Sequence, residues 1–69
     1  MNTLGSKLLK EQARVRELIL LYNDPLLKGA GTIAAKMMEQ SLRKADEAFA
    51  FQNIKEMMIA LKDLEGYKE

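Results

Sequence analysis

The chain's single proline and two of its four glycines fall inside one short stretch, NDPLLKGAG, from Asn23 to Gly31. The other two glycines, Gly5 and Gly66, fall near either end. Proline fixes its own φ, lacks an amide donor and keeps the residue before it out of the helical region. Glycine supplies backbone angles and close approaches that other residues cannot. Such a stretch is a bend, across which the helices before and after it are laid back on one another. Alanine, leucine, methionine, lysine and glutamate dominate the remainder, and these are strong helix formers. The expected fold class is therefore all-α.

The first helix is expected from about residue 6 to Tyr22, starting near Ser6 or one turn earlier at Thr3. Asn23-Asp24-Pro25 stops it. Asp24 is placed to cap a brief turn, with Pro25 at its first position and Gly29 at its end. After the linker 23–31, a second helix runs from Thr32, whose hydroxyl is placed to accept from a first-turn amide, to about Ala50. The apolar phase shifts near Phe51-Gln52-Asn53. Asn53 then caps a third helix over about 53–65, with Gly66 as a left-handed stop. This makes residues 1–69 one small helical domain: a long first helix on a hairpin of the second and third, completed by oligomerisation.

Projection at about 100° per residue separates the faces. On the second helix Ala34, Ala35, Met37, Met38, Ser41, Leu42, Ala45, Ala48 and Phe49 share a side rich in small residues. Another helix can approach it closely. On the third the stripe is Ile54, Met57, Met58, Leu61 and Leu64, with Ile59 roughly opposite. The first helix carries Leu4, Leu8, Val15, Leu18, Ile19 and Tyr22 at coiled-coil spacing, interrupted by Glu11. Lys7 and Arg14 stand at helical spacing from Glu11, which reads as a register-setting charge.

A second stripe on the first helix, Leu9, Ala13 and Leu20, lies about 120–160° away, and Leu21 adds to the far side. The segment LILLY is thus apolar nearly all round. A chain of 69 residues buries only about 60% of its unfolded surface, and such small domains need reinforcement. With no cysteine and no histidine, disulfides are excluded and the usual metal staples lack their ligands. Self-association through Leu9, Ala13, Leu20 and Leu21 is the expectation, with a homodimer favoured by symmetry. The alternative is that the second and third helices straddle the first and bury both stripes.

Several chemistries can be weighed directly. GAGTIA, residues 29–34, fits G-x-G-x-x-A, yet a dinucleotide fingerprint needs a strand before it and a second strand carrying an acid. DPLLK cannot be that strand, and Asp46 and Glu47 fall on a helix face. An anion held at the start of the second helix by Lys28, Gly31 and Thr32 remains physically allowed. Acid–base catalysis wants converging carboxylates or a tuned histidine. Here Glu39, Asp46, Glu47, Glu56, Asp63 and Glu65 are spread among lysines and arginines, with Glu39-Arg43 and Glu47-Arg43 at surface-pair spacing. Bundle metal sites use Glu-x-x-His, and Ser6 and Ser41 have no base. No catalytic residue, metal or cofactor is expected.

The 11 basic and 10 acidic residues give a net charge of +1 and are interleaved. Lys7, Lys10, Arg14 and Arg16 are offset by Glu11 and Glu17, and the second helix opens on Thr-Ile-Ala-Ala rather than base-reading polar groups. A nucleic-acid-binding regulator is the second reading, behind a non-catalytic protein that acts through protein–protein interaction. The longest apolar run, Leu18–Tyr22, falls far short of the roughly 20 residues that span a bilayer. MNTLGSKLLKEQARVR has no hydrophobic signal segment, so no membrane and a cytoplasmic location are expected.

Met38 to Glu65, MEQSLRKADEAFAFQNIKEMMIALKDLE, resembles a single tetratricopeptide-like helical hairpin. Across more of the chain, KEQARVRELILLY, GAGTIAAKMMEQSLRKADEA and EMMIALKDLE resemble short uncharacterised helical proteins of tailed bacteriophages and prophages. That resemblance implies a bacterial cytoplasm and action by binding a host or phage protein. It transfers no site residue.

Overall fold

A computed structural model describes residues 3–68. It contains α1 (Leu4–Tyr22), a short 3₁₀ turn (Pro25–Leu27), α2 (Thr32–Ala50) and α3 (Ile54–Glu65), and no strand among the described residues. The fold is all-α, three helices each packed on the other two.

Local chemistry sets each boundary. The Thr3 hydroxyl accepts from the Ser6 amide at 3.1 Å, so α1 begins at Leu4, at the earlier of the two expected starts. The chain then turns at Asp24, whose carboxylate accepts from the Leu26 amide at 2.8 Å, with Pro25 first in the turn. Gly29 does not close that turn itself. Lys28 caps it in the left-handed region at φ 52°, and Gly29 follows at φ 83°. The expected Thr32 cap is also displaced: Gly31 occupies the cap position, Thr32 is the first helical residue, and no side chain caps α2.

The α2–α3 junction consists of Phe51, Gln52 and Asn53. The Asn53 amide donates back to the Ala48 carbonyl and the Gln52 amide to that of Phe49, a Schellman ending with Gln52 left-handed at φ 53°. The Asn53 side chain then accepts from the Glu56 amide at 3.2 Å, as expected of a cap. One residue closes α2 and opens α3. Gly66 departs from expectation: at φ −72° it is not left-handed. The Asp63 and Leu64 carbonyls accept instead from the Gly66 and Tyr67 amides in a tightened last turn, at 3.2 and 3.1 Å.

Helix directions follow from which ends meet. Gly5 at the start of α1 lies under the Phe49 ring near the end of α2, and Gly31 at the start of α2 lies against the Tyr22 backbone. These helices are antiparallel, and α3 runs back alongside α1 to bring its end to Arg14. The core holds Leu8, Val15 and Leu18 from α1, Met38, Leu42, Ala45 and Ala48 from α2, and Met57, Ala60 and Leu64 from α3.

The small-residue side of α2 is buried, except that Met37 is exposed and Ala34 and Phe49 are half-buried. On α3 two expected core residues are exposed, Ile54 and Met58, and Ala60 is buried instead. The reason is the crowding of three helices around a small-residue seam, which favours alanine at the closest approach. Ile59 is exposed as expected.

Candidate interaction surface

The polar residue inside the α1 stripe is Gln12, not Glu11. Leu8, Gln12, Val15 and Ile19 follow the i, i+4, i+7, i+11 course of one helix face, and Gln12 is buried. Its side-chain amide donates to the Asp46 carboxylate of α2 at 2.6 Å. Arg16 approaches the same carboxylate oxygen at 3.6 Å. A buried amide without such a partner would cost about 1–3 kcal/mol, so this bond fixes α1 against α2.

Glu11 is half-buried and pairs with Arg14. Lys7 makes no ion pair with it, and neither the Glu39-Arg43 nor the Glu47-Arg43 spacing forms one. Arg14 does more than neutralise Glu11. Its two terminal nitrogens donate to the carbonyls of Leu64 and Tyr67, each at 2.8 Å. The guanidinium fork thus gives the last-turn carbonyl of Leu64 a second donor and ties down the Tyr67 carbonyl just beyond the helix. The segment after α3 is held further by the Ser41–Tyr67 hydroxyl pair at 2.8 Å and by the Tyr22 hydroxyl donating to the Lys68 carbonyl at 2.9 Å.

Arg14→Lys should lower stability by about 1–2 kcal/mol, because an ammonium cannot span two carbonyls while pairing with Glu11. Urea unfolding checks this. A midpoint equal to that of the unmodified chain would mean that the guanidinium bonds contribute nothing.

The opposite side of α1 is bare. Leu20 is 74% exposed and Leu9 53%, and Ala13 is exposed between them. These three stand at i, i+4 and i+11, on one line along the helix. Leu21 is exposed too but lies across the helix, in a shallow apolar groove with Tyr22, Leu27, Ala30 and Gly31. So α2 and α3 do not straddle α1: three of the four expected self-association residues share a face, and the fourth lines a separate groove. A further apolar group, Phe51, Ile54, Met58 and Ile59, is exposed about the second junction and α3.

The accessible surface is 5268 Å² for a chain of 7.8 kDa, whereas a compact monomer of that mass presents about 4,400 Å².

The start of α2 is differently placed. Gly31 is buried and Lys28 exposed, and the Thr32 amide already donates to the Gly29 carbonyl at 3.2 Å. Among the described residues no group of three or more acidic, cysteine or histidine side chains is arranged to hold a metal. Every buried side-chain polar atom among them has a partner. No helix among them is long and apolar enough to cross a membrane.

Compared with protein-family models, curated proteins and solved structures, the chain matches none.

Sequence reasoning missed Gln12, Asp46 and Arg14 as the groups that lock the helices. Gln12 carried a signal, since it sits on the Leu8–Val15 course. Arg14 carried none: its role depends on where α3 ends in space.

Proposed function

We propose that this chain acts through protein–protein contact rather than catalysis, and that it self-associates through the outer face of α1. What carries the reading is the line Leu9, Ala13, Leu20, left bare on a helix whose other face is core. Exposed leucines in one line invite burial, at about 25 cal/mol per Å² of apolar surface removed from water. The resemblance to small phage and prophage proteins suggests a bacterial cytoplasm, with a host or phage protein bound by the assembled form.

Leu9→Glu and Leu20→Glu should each weaken self-association by about 2 kcal/mol, some 30-fold, while leaving helicity unchanged. Sedimentation at micromolar concentration beside far-ultraviolet circular dichroism reads both quantities. A monomeric unmodified chain would sink the reading. A low-salt shift of duplex DNA that collapses as salt rises would favour the nucleic-acid regulator instead.

A further inference from the structure

We infer that the occupant of the outer α1 face is a second copy of the chain laid antiparallel, paired in a register set by charge; this rests on the self-association proposed above. Ser6, Leu9, Ala13, Arg16 and Leu20 follow alternating three- and four-residue spacing, the seam of a two-helix coiled coil. All five are exposed. One flank of this seam is already taken, because Gln12 is buried and Ile19 half-buried, with Gln12 bonded to α2. The other flank is open and carries Lys10 and Glu17, both exposed and one heptad apart.

Orientation decides what these residues meet. In a parallel pair each seam residue faces its own copy, so Arg16 would stand against Arg16. Lys10 and Glu17 would stay at different heights on the same flank, out of reach of each other. In an antiparallel pair Leu9 faces Leu20 of the second copy, and Arg16 faces Ala13. The small alanine leaves room for the arginine stem, and the guanidinium keeps its position beside Asp46 of its own chain. The open flanks then run in opposite directions, and Lys10 of each copy reaches Glu17 of the other. Symmetry makes that pair twice. Apolar contact and charge thus select one register together.

The charge pairing is tested by exchange. K10E and E17K should each weaken dimerisation about tenfold in low salt, since two attractions become two repulsions. The double variant K10E/E17K has the original net charge and should return to within about twofold of the unmodified chain. Unchanged affinity in both single variants overturns the register.

Orientation is tested by cross-linking, which the absence of native cysteine permits. Chains carrying Leu9→Cys, mixed with chains carrying Leu20→Cys, should form a 9–20 disulfide under mild oxidation. Leu20→Cys chains alone should not cross-link, because their thiols lie roughly 16 Å apart along the helix axis. A 20–20 disulfide overturns the antiparallel arrangement while self-association stands. An unmodified chain that stays monomeric overturns both.

Discussion

Gly31→Ala is expected to lower the stability of the fold by about 3 kcal/mol, within the range by which overpacked sites destabilise. The backbone angle at Gly31 is not the cause, since its φ of −92° is open to any residue. The cause is space. An added Cβ would stand 2.2 Å from the Tyr22 carbonyl oxygen and 2.9 Å from its carbon. Both are main-chain atoms at the end of α1, so no side chain can swing aside, and α1 and α2 must part at the bend. A core of this size rarely supplies more than about 3–5 kcal/mol in total, so most of the cooperative transition should be lost. Thermal unfolding checks this. A midpoint within a few degrees of the unmodified chain would mean that the close approach of the two helices is dispensable.

Leu64→Ala should lower stability by about 3 kcal/mol, the middle of the range for leucine-to-alanine changes in cores. Leu64 is fully buried, and its own carbonyl receives one of the Arg14 bonds. A cavity there loosens both the packing of α3 and the geometry that Arg14 needs. At 12 residues, α3 has little helicity of its own to fall back on. Ile54→Ala is the matched control. Ile54 is exposed, and its removal should change stability by no more than about 0.5 kcal/mol. Guanidinium titration of the two variants separates them. Equal losses would place Ile54 in the core, as the apolar pattern alone suggests.

The contrast between Leu64 and Ile54 shows where sequence reading succeeds and where it stops. Helix extents were legible because breakers and caps act locally: Thr3, Asp24 with Pro25, and Asn53 each make the bonds their chemistry suggests. The Thr32 cap failed because Gly31 had to occupy that position for reasons of space. Ile54 and Met58 were misplaced because a wheel weights every apolar residue alike. Three converging helices admit only what fits at the closest approach, and there Ala60 fits. Of the candidate surface, Leu9, Ala13 and Leu20 were legible as a second stripe. Their exposure depends on α2 and α3 both packing against the other side of α1, which no local pattern encodes.

The double duty of Asn53 also bears on how the molecule opens. Its amide holds the Ala48 carbonyl in the last turn of α2 while its side chain holds the Glu56 amide in the first turn of α3. Fraying at either helix end therefore removes support from the other. In hydrogen exchange, amides on the two sides of the junction should therefore open together, with similar opening free energies.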